Sequence, residues 1–249
     1  MIAGATSAAQ AHREALDLLL DPIDDSRPRP PGRRTAESLG EVPFDAAFVD
    51  RCRIALSGLL GLEDRGVIEV SSPRRKDGRS SVAAALALVL SRTRARGGVL
   101  LLDLDFARAA QAELFSIAPS PGLADYLEGR ERLRGVPAGS DRQLWMIPAG
   151  SHLGDPLRLL HQLIADRMLE LFRERFQWVV LDLPPLLGSP EAASLAARAD
   201  WHILVGRHRR TSIAELRTAR ELVGADAATS GFILTGDSSR VPGWIKRRL

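Results

Sequence analysis

The sequence predicts a doubly wound α/β fold, in which helices cover both faces of a mainly parallel sheet to give three layers. Short runs that are apolar on both faces alternate with helical stretches, which is the pattern of a buried parallel sheet. The 249 residues are 45% hydrophobic and 26% charged, as expected for one large globular domain with an accessory segment. The longest apolar run has about ten residues, half of what a membrane helix requires.

Composition excludes several classes of protein. The single cysteine, Cys52, excludes an internal disulfide framework and a cysteine-based metal cluster, and its apolar helix face predicts a packing role. The five histidines share no metal-like spacing, and His202 is expected in the core or at a sheet edge. A net charge of +3 does not predict nucleic-acid binding. No basic-then-apolar signal segment opens the chain, so we expect a cytoplasmic protein.

Three regions are expected along the chain. Residues 1–42 are predicted to be a partly disordered leader, with a short helix over 8–20 and a proline-rich linker over 24–34. The linker is expected to be a solvated tether, and the alternative is a docking segment for a partner. Residues 43–236 form the regular α/β domain. Residues 237–249 are expected to form a basic tail, whose Trp244 and Lys246 suit a weak contact with a membrane surface or with a groove of a partner. The alternative is a short frayed end.

Each regular element of the domain follows from the spacing of its apolar residues. Strands are predicted over 67–71, 99–104, 144–147, 178–183, 202–205 and 231–234. Helices are predicted over 44–60, 80–94, 122–127, 156–176, 190–199 and 212–223. In sheets of this kind, ligands bind at the carboxyl ends of the strands, so the residues that follow each strand are the candidates for a site.

The segment 72–81, SPRRKDGRSS, joins the first strand to a very apolar helix. A phosphate-binding loop at such a junction needs a glycine-rich turn, a lysine for the phosphates and a Ser or Thr for Mg²⁺. Gly78, Ser80 and Ser81 are in register with that pattern, but Arg79 stands where the lysine belongs and Lys76 where a glycine belongs. Only two of the 34 basic residues are lysines, so the chain prefers arginine throughout. A planar guanidinium is nevertheless not equivalent to a compact ammonium at a packed phosphate site.

Carboxylates follow two of the apolar runs. Asp103 and Asp105 end the second predicted strand, and Asp182 ends the strand over 178–183. A carboxylate in this position is costly to bury unless it meets a metal ion, water or a donor. In phosphoryl transfer, such acids hold Mg²⁺ and orient the attacking group. The alternative for each one alone is a structural carboxylate that caps the next helix.

The ordered set of motifs resembles the cytoplasmic domain of the bacterial tyrosine kinases (BY-kinases) of capsule and exopolysaccharide assembly. These belong to the MinD/ParA class of P-loop ATPases. The resemblance runs from the loop through VLLLDLDFAR (99–108) and WVVLDLPP (178–185), with further similarity at 121–129, 147–160 and 199–211. It covers roughly 43–234 and implies that 43–236 is a P-loop NTPase-like domain.

The resemblance implies a site for ATP or ADP with Mg²⁺. Its nucleotide-binding positions are Lys76, Asp77, Gly78, Arg79, Ser80, Ser81, Arg108 and Thr235. By position, Asp103 is expected to be the base or water-positioning acid, Asp105 a metal or activation ligand, and Asp182 the Walker B acid that holds Mg²⁺ through water. The implied metal-binding set is therefore Ser80, Asp105 and Asp182.

Several departures from the family pattern bear on function. Besides Lys76 and Arg79, Thr235 replaces the asparagine that contacts adenine, and the only tyrosine, Tyr126, lies in mid-domain instead of a C-terminal cluster. Of the oligomerisation pattern in the first helix, Arg53 alone is kept. The leading hypothesis is a degenerate BY-kinase-like domain that regulates polysaccharide export, with a membrane chain-length regulator (a polysaccharide co-polymerase) as its partner.

Two alternatives remain, and so do expectations about assembly. The first alternative is an active tyrosine kinase or ATPase that uses Arg79 and Lys76 to phosphorylate another protein. The second is a MinD/FlhG-like positioning ATPase. We also expect the protein to form a homo-oligomer and to lie at the inner face of the cell membrane. No nucleic-acid partner is expected.

Overall fold

The computed structural model describes residues 44–60, 63–93, 97–138, 143–152, 154–224 and 229–236, with only the backbone considered at 59, 60, 229 and 230. The predicted leader, 1–42, and the predicted basic tail, 237–249, lie outside the described residues. Within the described ranges, no helix has both the length and the apolar character needed to cross a membrane.

Helices and strands alternate along most of the chain. The helices are α1 (Ala46–Leu60), α2 (Arg79–Thr93), α3 (Gln111–Leu114), α4 (Leu123–Leu127), α5 (Pro156–Ala165), α6 (Met168–Arg175), α7 (Pro190–Ala196) and α8 (Ile213–Val223). The strands are β1 (Gly66–Ser71), β2 (Val99–Asp103), β3 (Val136–Pro137), β4 (Leu144–Ile147), β5 (Trp178–Asp182), β6 (Trp201–Arg207) and β7 (Thr229–Thr235).

The strands form one seven-stranded sheet in the order β3-β4-β2-β5-β1-β6-β7. Every pair is parallel except β3 with β4 at one edge. Separate apolar cores lie on the two faces of the sheet, one beneath α5 to α8 and the other beneath α1 and α2. The predicted doubly wound, mainly parallel architecture is confirmed.

The helix that follows the loop is buried on nearly all sides. Its residues Val82 to Leu90 are at most 4% exposed, because α2 is packed between the sheet and α1. A helix that is apolar all round requires cover on both sides. Its N-terminus is therefore fixed against the end of the sheet, which positions the loop.

The sequence prediction was wrong in a few places. The predicted helix over 156–176 is broken into α5 and α6 at Arg167, which has a left-handed backbone with φ of 54°. The predicted helix over 190–199 already ends at Ala196. Neither α3 nor β3 was predicted, because four and two residues are too few to show a periodicity.

Cys52 and His202 are buried as predicted. Cys52 lies on the inner face of α1, and burial raises the pKa of its thiol to about 11. The His202 ring on β6 contacts the carboxylate of Glu69 on β1, with Nδ1 3.3 Å from Oε1. Burial raises the pKa of Glu69, and the hydrogen bond and charge of His202 oppose that rise.

Candidate active site

Three carboxyl strand ends meet at one edge of the sheet. The loop 72–78 leaves β1, which lies between β5 and β6. Asp103 at the end of β2 is the parallel-sheet neighbour of Asp182 at the end of β5. The loop and the predicted acids are therefore brought together, as expected for a doubly wound sheet.

The loop keeps its turn although one glycine is missing. Gly78 has φ of 94°, and Lys76, at the position of the missing glycine, has φ of 68°. A left-handed conformation costs a residue with a side chain about 1–2 kcal/mol. Protein groups hold it in place: Arg207 donates to the Lys76 carbonyl at 2.9 Å, and the Thr235 hydroxyl donates to the Asp77 carbonyl.

Asp77 and Thr235 have structural contacts that the sequence did not predict. The Asp77 carboxylate is buried and accepts the Arg74 backbone N–H at 3.2 Å, across the turn. The Thr235 side chain lies against Gly78, where a Cβ would be only 3.1 Å from the threonine Cγ2. Thr235, which occupies the adenine-contact position of the family pattern, thus closes the loop against β7.

Arg79 is the decisive residue of the site. It is only 6% exposed, and its guanidinium contacts two carboxylates, Asp182 at the end of β5 and Asp105 two residues after the end of β2. One amino group donates to Asp105, and Nε lies 3.4 Å from Oδ1 of Asp182. Arg75, whose side chain is 40% exposed, adds a second contact to Asp105 at 3.1 Å. The side chain at the lysine position therefore points toward Asp105 and Asp182. These two acids, with Arg75 and Arg79, are called the acid cluster below.

Asp103 is satisfied by backbone donors. One of its oxygens accepts the N–H groups of Ala110 and Gln111 at 3.0 and 2.9 Å, and the other accepts the Asp105 N–H at 3.3 Å. Burial, and then the charge of Asp182, raise the pKa of Asp103 to about 7. This geometry is that of the capping carboxylate that the sequence left open as the alternative.

Gln111 is a site residue that the sequence analysis missed. Its side-chain amide donates to Asp182 at 2.8 Å and to the Ser80 carbonyl at 2.9 Å. Burial raises the pKa of Asp182, while Arg79, Gln111 and Ser80 act against the rise. A glutamine eight residues after Asp103 has no periodic or motif signal, so only the fold could reveal it.

Ser81 and Arg108 occupy less central places. Ser81 is half-buried in the first turn of α2. Arg108 is exposed, and its backbone N–H donates to the Asp105 carbonyl at 2.8 Å. Among the described contacts, the Arg108 side chain makes none with the three acids.

The arrangement fits an anionic ligand better than a divalent cation. Mg²⁺ prefers carboxylate and water oxygens in near-octahedral geometry. Both acids assigned to it, Asp105 and Asp182, already contact the guanidinium of Arg79, so these residues do not fit Mg²⁺ as they are placed. The turn at Gly78 and the exposed basic side chains beside it retain the character of a phosphate site.

The chain is similar in sequence and fold to proteins named as bacterial tyrosine kinases. The tyrosine-protein kinase Ptk of Acinetobacter johnsonii is 27% identical over 184 residues, which are 73% of this chain and 25% of that protein. The tyrosine-protein kinase CpsD of Streptococcus agalactiae is 26% identical over 180 residues, which are 70% of this chain and 76% of that protein. The solved kinase domain of VpsO is 28% identical, with a TM-score of 0.66 over 76% of this chain and 94% of that one.

The chain is a homologue of the bacterial tyrosine kinases. The family resemblance predicted from the motifs is thereby confirmed, although no protein-family model matches the chain. This BY-kinase homologue spans about a quarter of the length of Ptk. The structure of a McdA variant in complex with ATP also shares the fold, with a TM-score of 0.54 and 18% identity.

Proposed function

We propose that this BY-kinase homologue is a catalytically degenerate domain that regulates the export of a capsule or exopolysaccharide. The observation that carries the proposal is the placement of Arg79. In an active phosphoryl-transfer site, a lysine contacts the phosphates while the acids hold the metal ion. Here the residue at the lysine position is paired with the acids, so neither part of that arrangement is available.

The environment of Asp103 supports the same conclusion. A general base needs a lone pair directed at the proton that it removes. Both oxygens of Asp103 instead accept backbone N–H groups of the segment 105–111. Asp103 therefore orders the chain after β2, with backbone donors on three of its roughly four lone-pair sites.

The regulation that we propose is conformational. Arg75 is the exposed member of the acid cluster, so an anionic ligand at the loop competes with Asp105 for its guanidinium. Release of Arg75 changes the surface formed by the loop and the segment after β2. The family resemblance supports a membrane chain-length regulator as the protein that docks there, with the domain at the inner face of the cell membrane.

The test compares the natural loop with a repaired one. The natural chain, the variant Arg79→Lys and the double variant Lys76→Gly/Arg79→Lys are incubated with Mg·ATP, with and without the cytoplasmic segments of a chain-length regulator. Phosphate release and phosphotyrosine are measured, and Tyr126→Phe separates self-modification from transfer to the partner. We expect no turnover by the natural chain and binding to the partner segment. Phosphotyrosine formed by the natural chain would refute degeneracy.

One observation favours the alternative of an active kinase. A cavity of about 150 Å³ lies beside Asp105, with Arg75 at its edge and walls that include Phe106, Leu157 and Pro184. A cavity of this size accepts a benzene-sized ring. A tyrosine of a partner protein would therefore fit next to the acid cluster, and the partner-labelling arm of the experiment decides this alternative.

A further inference from the structure

The charges of the acid cluster are balanced by the protein itself. Asp105 and Asp182 are each at most 2% exposed, so any negative charge that they carry needs a partner within the protein. Arg79 and Arg75 bring two positive charges into contact with them. The remaining oxygen of Asp182 accepts from the Gln111 amide. The two acids that would attract a dication thus already have cationic partners, and the buried Oδ1 of Asp182, which makes no hydrogen bond among the described contacts, lies 3.4 Å from the Arg79 Nε.

We propose that the Arg79 guanidinium takes the place of the divalent cation, and that the loop binds the polyphosphate of a nucleotide without Mg²⁺. This inference rests on the proposed function, since a site without a metal ion would not catalyse phosphoryl transfer in the usual way. It specifies which ligand chemistry the degenerate site accepts.

Entry of a metal ion is opposed by two effects. A dication between Asp105 and Asp182 would have to displace a guanidinium that is 6% exposed, which leaves that group charged and without a partner in the interior. Mg²⁺ also gives up its water shell reluctantly, so few contacts would compensate.

Binding of phosphate is not opposed in the same way. Lys76 is exposed, and Arg74 is exposed and pairs with Glu215 at the surface. Arg75 can exchange Asp105 for a phosphate group, because a guanidinium donates two parallel hydrogen bonds to a carboxylate or to a phosphate. Lys76, together with Arg75 once it has left Asp105, supplies positive charge beside the turn at Gly78, while Arg79 remains the partner of both acids.

The experiment measures ADP and ATP binding by calorimetry, in EDTA and in millimolar MgCl₂, together with Mn²⁺ retention by electron paramagnetic resonance. For the natural chain we expect dissociation constants within about twofold of each other in the two buffers, and no stoichiometric Mn²⁺. For Arg79→Lys, whose shorter ammonium frees Asp182, we expect about tenfold tighter binding with Mg²⁺ and one retained Mn²⁺. The change Arg132→Lys, at an exposed position, is the matched control.

A second variant keeps the inference testable if Arg79→Lys does not fold. In a metal-dependent loop the hydroxyl of Ser80 would be a metal ligand, so Ser80→Ala would abolish the Mg²⁺ effect on binding. With Arg79 in the cation position, we expect the ratio of the dissociation constants in the two buffers to stay within about twofold of one for Ser80→Ala, whatever the change in affinity itself.

Each unfavourable outcome has a separate meaning. Binding by the natural chain that strengthens about tenfold with Mg²⁺, or retention of one Mn²⁺, would overturn the inference. If the natural chain binds neither ADP nor ATP in either buffer, the inference is also overturned. The proposed regulatory function is not affected by that result. Phosphotransfer by the natural chain would instead overturn the proposed function.

Discussion

Replacement of Arg79 by methionine tests the buried ion cluster directly. Methionine keeps much of the side-chain length and removes the charge, so the two acids at the ends of β2 and β5 lose their shared partner. Loss of one member of a buried pair costs about 3–5 kcal/mol, because the other charge remains in the interior. Asp105 and Asp182 are both essentially inaccessible, so we expect Arg79→Met to lower the free energy of unfolding by that amount at neutral pH.

The assay is urea denaturation followed by far-ultraviolet circular dichroism, with a double-mutant cycle. Asp105→Asn removes the charge left behind by Arg79→Met, so the double variant should be more stable than the sum of the single changes predicts. We expect a coupling energy of about 1–3 kcal/mol. Arg132→Met is the control for loss of an exposed arginine. A cost of less than about 1 kcal/mol for Arg79→Met, typical of a surface ion pair, would refute the buried cluster.

Three further predictions concern other parts of the domain. In the folded protein Asp103 keeps its proton up to about pH 7, whereas in the unfolded chain it loses the proton near pH 4. The free energy of unfolding should therefore fall as the pH rises between these values, by up to about 1.4 kcal/mol per pH unit. Asp103→Asn should flatten that slope in urea titrations at several pH values, and an unchanged slope would contradict the assignment. Gly122→Ala would place a methyl group against the Pro148 carbonyl and should lower the free energy of unfolding by about 1–3 kcal/mol. The control, Gly58→Ala on open helix surface, should not destabilise the protein. Equal melting temperatures for the two variants would refute the close approach at Gly122. Cys52 should react with a thiol reagent at pH 8 only on unfolding, and rapid labelling of the native chain would show that it is not buried.

The sheet could be predicted from the sequence because its central strands carry an unambiguous signal. Before their terminal aspartates, β2 and β5 are apolar at both faces, β1 departs from this only at Glu69 and Ser71, and the predicted bounds agree with the structure to within one or two residues. The break between α5 and α6 could not be predicted in the same way. Arg167 and its neighbours keep helical spacing, and only the turn that returns the chain toward β5 requires a left-handed residue there.

The members of the site were predictable, but their roles were not. Acids at the carboxyl ends of parallel strands must lie at one edge, so Asp103, Asp105 and Asp182 could be grouped from sequence alone. The direction of the Arg79 side chain could not be predicted, because it depends on the positions of Asp105 and Asp182 in the folded sheet and on the tight packing around α2. Gln111 was missed because its partners are distant in sequence and no pattern connects them.

The loop is held by protein groups on two sides, and this limits how it can respond to a ligand. Thr235 and Arg207 bind its carbonyls from β7 and β6, and Arg79 ties its helical end to the acids. A loop fixed in this way has little ordering entropy left to lose when a ligand binds. A response must then come from a side chain that can exchange partners without unfolding the turn. Among the side chains that contact the buried acids in the described structure, Arg75 is the most exposed, so it is where ligand binding would be converted into a change at the surface.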